Sequence, residues 1–161
     1  MLRKTIFIVL IVFVIIQFIR PARNVSTETS PSDIAQVYNV PGDVNEILKR
    51  ACNDCHSNNT SYPWYSNIQP VGWWLQHHVN DGKGELNFSE FATYTPKRQH
   101  HKMKETVETV QEKEMPLGSY LWTHNEAVLS DVERKTLIDW AKNLGDEIAT
   151  KNNLPKEEAG R

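Results

Sequence analysis

Cys52-Asn53-Asp54-Cys55-His56 constrains this chain more than any other feature. Two thiols three positions apart fall about one turn apart on a helix, and an imidazole follows the second thiol directly. That spacing lets one flat ligand be bonded at two edge positions while the imidazole is presented to its centre. It is the C-x-x-C-H signature for attachment of c-type haem. A thioredoxin-like redox motif requires an adjoining βαβ pattern, and a structural zinc site requires a second Cys or His pair at defined spacing; the sequence has neither. Both of the chain's cysteines lie in the motif, so none remains for a structural disulfide.

The length, 161 residues, suits one small domain plus flanking segments. Four of the eighteen basic residues (Arg3, Lys4, Arg20, Arg23) flank an N-terminal apolar stretch and only Glu28 opposes them there, which leaves the remainder with 14 basic against 19 acidic groups. A mildly acidic domain gives no support to nucleic-acid binding. Residues 5–19 read TIFIVLIVFVIIQFI, preceded by basic residues and followed by Arg20-Pro21. Fifteen residues is short for a hydrocarbon core of about 30 Å. Snorkelling of the basic flanks extends the reach, and no small-x-small cleavage site follows. The expectation is therefore a single N-terminal transmembrane helix over residues 1–20, with a cleaved signal segment as the rival. The charge bias puts the N-terminus inside and the domain in the periplasm, at a bacterial cytoplasmic membrane.

Residues 21–40, with the run NVSTETSPSDIAQ, read as a polar linker, and residues 41–148 as the domain, followed by a polar C-terminal tail over 149–161. Pro41-Gly42-Asp43 opens a helix, with Asp43 as its N-cap and Val44, Ile47, Leu48 and Ala51 on one face. A second helix is expected over about 70–80, carrying Val71, Trp74, Leu75 and His78 and stopped by Gly82-Lys83-Gly84. Thr95-Pro96 is a helix start, followed by the stripe Met103, Val107 and Val110. Ser130-Asp131-Val132-Glu133 is a capping box ahead of Leu137, Ile138, Trp140, Ala141 and Leu144. The pattern is all-α.

An electron-carrying haem needs a sixth ligand. Met115 precedes Pro116, which disfavours helical geometry at Met115 and puts its thioether on a loop. Met103 belongs to an apolar stripe and reads as core. His77 and His78 are the alternative ligands, because His78 shares the apolar face of its helix. His100, His101 and His124 read as ordinary polar side chains. The aromatic group Tyr62, Trp64, Tyr65, Trp73 and Trp74 reads as core and pocket wall, with Trp64 or Tyr65 as a donor to a haem carboxylate in the functional version.

An opening helix, the Cys52-x-x-Cys55-His56 motif, a Met115-Pro116 loop and an amphipathic closing helix resemble a small class I cytochrome c. The runs CNDCHSNNTSYPWYSNIQPVGWW and EMPLGSYLWTHNEAVLSDVERKTLIDWAKN more closely resemble the bacterial haem-binding-domain family of cytochrome c-like proteins, over about residues 41–144. The resemblance implies one covalent haem c per chain. Cys52, Cys55 and His56 match the family's attachment motif and Met115 its Met-Pro position. The expected function is a membrane-tethered electron carrier serving redox partner proteins of the membrane or periplasm, and not an enzyme. The competing reading is a haem sensor or peroxidase-like enzyme with an open or labile sixth site.

Overall fold

The computed structural model describes residues 1–155, and among these the regular structure is helical throughout. Helices α1 (Leu2–Ile16), α2 (Ile34–Val37), α3 (Gly42–Ala51) and α4 (Asn53–His56) lead through the haem motif. They are followed by α5 (Val71–Glu85), α6 (Pro96–Gln111), α7 (Gly118–Leu121) and α8 (Asp131–Lys151). Short 3-10 turns occupy Trp64–Asn67, Phe88–Thr93 and Asn125–Ala127.

The core forms where three apolar stripes meet. Val44, Ile47, Leu48 and Ala51 of α3 are all buried, as are Met103 and Val110 of α6. Helix α8 adds Leu137, Trp140, Ala141, Leu144 and Ile148, and packs along α6 and against α3. Local signals set two of the helix starts. Thr95 accepts from the Arg98 N–H with Pro96 in the first turn, and Ser130 and Glu133 close a reciprocal capping box. Each cap satisfies backbone donors that a helix start leaves without intrahelical partners. Helix α3 differs from expectation: Pro41 is its cap residue and Asp43 sits in the first turn, where its carboxylate complements the helix dipole.

Helix α5 also runs further than its glycines suggest. Gly82, Lys83 and Gly84 lie inside it and it ends at Glu85, because Gly82 is needed for packing and does not break the chain. A Cβ at Gly82 would stand 2.8 Å from the Cys55 carbonyl oxygen and 2.9 Å from the Cys55 Cβ. The bare backbone of Gly82 lets α5 lie directly on the haem motif.

The N-terminal expectation of a membrane span is overturned. Among the described residues no helix is long and apolar enough to cross a membrane. Helix α1 has 15 residues, about 22 Å of rise against a core of about 30 Å. It stops because the chain is captured by the domain. The Gln17 amide accepts from the Gln69 N–H at 2.9 Å and donates to the Gln69 carbonyl at 3.1 Å, and Trp73 Nε1 donates to the Ile19 carbonyl at 2.7 Å. Phe18 and Ile19, counted as part of the span, therefore lie beyond the helix on the protein surface. The single-pass anchor falls with the span, and with it the membrane localisation and the outward-facing topology built on it.

The polar stretch over 21–40 is docked and does not behave as a free tether. Asn24 donates through Nδ2 to the Ser57 carbonyl at 2.8 Å and to Thr60 Oγ1 at 2.9 Å, accepts from Lys83 Nζ at 2.6 Å, and receives the Thr60 N–H on its carbonyl at 2.9 Å. Ile34 is buried in the core. Part of the expected tail, residues 149–151, completes α8, whereas residues 156–161 lie outside the described residues.

Candidate haem site

The short helix α4 carries most of the motif. Cys52 ends α3, the Cys55 N–H donates to its carbonyl at 3.1 Å, and the His56 N–H donates to the same oxygen at 2.9 Å. The carbonyl of Asp54 accepts from Thr60 Oγ1 at 2.6 Å, and its carboxylate accepts from the Ser61 N–H and, at 2.8 Å, from the Tyr120 hydroxyl. Asp54, a variable position of the motif, thus holds the loop that follows it and the distant α7.

His56 lies against Leu86. Its Nδ1 donates to the Leu86 carbonyl at 2.9 Å, which fixes the tautomer and leaves Nε2 as the ring nitrogen with a free lone pair, able to bind a metal. Burial lowers its pKa below the ordinary histidine value, opposed by the carbonyls of Leu86 and Gly82. A neutral ring is the form that binds a metal. The edge of the ring meets Phe88, with centroids 6.3 Å apart.

A cavity of about 390 Å³ opens beside this ring. Cys52, His56 and Met115 all line it, between apolar walls that include Leu48, Leu86 and Leu137. Met115 is placed by the way α6 ends. Lys113 adopts a left-handed φ of 62°, the Glu114 N–H donates to the Thr109 carbonyl at 2.9 Å and the Lys113 N–H to the Val110 carbonyl at 3.3 Å. These two bonds are the Schellman pattern. The Met115 N–H returns to the same Thr109 carbonyl at 3.1 Å, so the methionine backbone is tied to the helix terminus.

Cys52 and Cys55 are not joined in a disulfide. Burial and then the neighbouring Cys55 push the Cys52 thiol up to about 12, and burial and then Asp54 push Cys55 up to about 11. Both stay protonated at neutral pH, which disfavours thiolate-driven exchange. Cys55 does not line the cavity of His56 and Met115; it lines an adjoining one with Trp74, His78 and Tyr120. Three of the four expected site residues therefore meet in one space and the fourth borders the next.

The remaining expectations separate clearly. Met103 is fully buried in the core, as its stripe required. His77 is on the surface beside Asp81, and His78 donates through Nδ1 to the Trp74 carbonyl at 2.8 Å, so neither lines the cavity of His56. His101 is exposed beside Glu105, and His100 donates to the Gly145 carbonyl. Trp64 is 76% exposed and does not line the cavity of His56, while the Tyr65 hydroxyl donates to Thr123 Oγ1 at 2.8 Å.

Sequence reasoning missed two contributors. One is the Leu86 carbonyl, which no side-chain pattern announces. The other is Lys102, a buried cation in the cavity wall that pairs with Glu85 at 3.0 Å and Glu105 at 2.6 Å. Burial works to lower its pKa, but the two carboxylates prevail and raise it, so the ammonium stays charged. Its i,i+3 relation to Glu105 was legible in the sequence; its position on the cavity was not.

These residues fit an iron porphyrin: an imidazole with one nitrogen fixed, a thioether on a tethered loop, the Cys52 thiol in the same cavity and the Cys55 thiol at its neighbour, and a wall that is largely apolar. No curated protein and no solved structure matches the chain. The family described as "Haem-binding domain" matches residues 11–143, most of the chain. The helical fold and the cavity beneath the C-x-x-C-H motif agree with that match, and the chain belongs to the haem-binding domain family.

Proposed function

We propose that this chain is a mono-haem c-type electron carrier, with haem linked through Cys52 and Cys55 and iron held by His56 and Met115. The observation that carries the reading is His56, bound through Nδ1 to Leu86 and sharing one cavity with Met115 and Cys52. Bound haem supplies reversible one-electron chemistry at iron. The chain's own residues then have distinct tasks. Leu86 holds the imidazole in one tautomer, and the Thr109 carbonyl holds the Met115 backbone in place. Leu48, Leu129 and Leu137 supply apolar wall to the cavity, and thioethers at Cys52 and Cys55 would prevent dissociation of the cofactor.

A thioether and an imidazole would fill both axial positions, which favours electron transfer over chemistry at an open site. The surface position of His77, and the bond of His78 to Trp74 in a separate cavity, favour Met115 over either histidine as sixth ligand.

The test is to produce the full chain together with a c-type haem assembly system, then denature it and extract it with acidified organic solvent. The expected result is haem that stays with the polypeptide and a reduced pyridine spectrum of a two-thioether haem. Haem that extracts freely would overturn covalent attachment. Rapid carbon monoxide binding by the ferrous wild-type protein would replace the carrier reading with a sensor or peroxidase-like one.

A further inference from the structure

The second cavity, of about 470 Å³, is almost wholly apolar and is lined by Cys55 but not by Cys52, His56 or Met115. Its size is in the range used for small molecules. Val71, Trp74 and Leu75 of α5 form one wall and Leu117, Tyr120 and Trp122 another. Trp74 is 47% and Trp122 81% exposed, unusual for rings that a small domain normally hides. Indole faces at the mouth of an apolar cavity offer stacking surfaces to a flat ring.

The polar atoms are few. His78 Nδ1 donates to the Trp74 carbonyl at 2.8 Å and its ring lies against Trp74, centroids 4.4 Å apart. His124 Nδ1 donates to the Tyr120 carbonyl at 3.0 Å, and its ring stacks on Tyr120 at 4.0 Å and 10°. A carbonyl can only accept, so His78 carries a proton on Nδ1 and can offer Nε2 as an acceptor, while His124 Nδ1 faces both the Tyr120 carbonyl and, at 3.1 Å, Thr123 Oγ1. The Tyr120 hydroxyl is already committed to Asp54. What the walls favour is therefore an apolar plane, and what the histidines favour is a hydroxyl donor on that plane.

We infer that this cavity is a binding site for a flat aromatic molecule bearing a hydroxyl group, of the phenol and hydroquinone class. Aromatic walls take the ring, and His78 or His124 accepts from the hydroxyl. Because Cys55 forms part of the lining, the ligand would rest beside the residue that anchors the cofactor edge. The inference goes beyond the haem reading, and the cavity exists whether or not that reading holds.

Calorimetric titration of the haem-loaded full chain with 2-naphthol tests it, with naphthalene as the ring lacking a hydroxyl. The expected result is one site per chain with a Kd on the order of 0.1 mM, and naphthalene at least fivefold weaker. Leu75→Trp, which fills the cavity, should weaken naphthol at least tenfold while leaving the haem spectrum unchanged. His78→Phe and His124→Phe keep a ring in place, and at least one of them should bring naphthol down to the level of naphthalene. Equal binding of the two probes, or unaltered binding to Leu75→Trp, overturns the site. If Leu75→Trp fails to fold, the two phenylalanine variants decide by the same ratio. A wild-type protein without covalent haem bands refutes the haem reading instead, and the naphthol titration distinguishes that failure from this one.

Discussion

His56 donates through Nδ1 to the Leu86 carbonyl across 2.9 Å, a bond between residues 30 positions apart. A backbone acceptor cannot be titrated away, so the imidazole keeps one orientation toward the cavity over the working pH range. His56→Ala should keep haem attached through the thioethers but lose the low-spin spectrum. Added imidazole, which fits the vacated volume, should restore part of it; optical titration of the reduced protein measures both effects.

Met115 and Met103 should behave oppositely. Met115→Ala should open the iron to carbon monoxide and lower the potential, because a thioether favours ferrous iron. Met103→Ala should leave the ligand spectrum unchanged and cost about 2–5 kcal/mol of stability through a core cavity. Spectra and denaturant melts of the two variants, measured side by side, check the pair.

Two glycines of α5 give a matched comparison. Gly84→Ala meets nothing within 4 Å and should stabilise the helix by up to about 1 kcal/mol. Gly82→Ala drives a methyl into the Cys55 backbone, and should destabilise by about 1–3 kcal/mol and reduce haem loading. Thermal melts and the haem-to-protein absorbance ratio report each change.

Acid stability should depend on Glu133. Arg50 first, and then the backbone and hydroxyl of Ser130, hold its carboxyl at about 2, against an ordinary value of 4.5. A depressed carboxylate contributes stability above its unfolded pKa and loses it as the pH falls through its folded pKa, so the loss falls between about pH 4.5 and 2. The pair is about one-third exposed, and solvent screening limits the contribution to on the order of 1 kcal/mol. Glu133→Gln should flatten that part of the stability curve, as read by urea melts from pH 6 downward.

Lys113 holds a left-handed φ of 62° at the end of α6 without being glycine. Lys113→Gly removes the Cβ cost and should stabilise the domain by about 0.5–1 kcal/mol without moving Met115. An unchanged optical spectrum with a higher Tm is the expected outcome.

What the sequence determined by itself is local. The spacing of Cys52, Cys55 and His56, the caps at Thr95 and Ser130, the stripe through Met103 and the loop at Met115-Pro116 each depend on residues within a turn or two, where chain geometry alone fixes the neighbours. Tertiary structure decided the rest through contacts between residues far apart in the chain. Gln17 meets Gln69 and ends α1 short of a membrane span, and Gly82 meets Cys55 and keeps α5 running through residues that read as a stop. Leu86 engages Nδ1 of His56 and leaves Nε2 free, and the packing of α5 beside α4 separates Cys55 from the cavity of His56 and Met115. Hydropathy and propensity report what a segment favours in isolation. A backbone carbonyl or a bare glycine face has no side-chain signature, and its effect appears only when the fold brings its partner within reach.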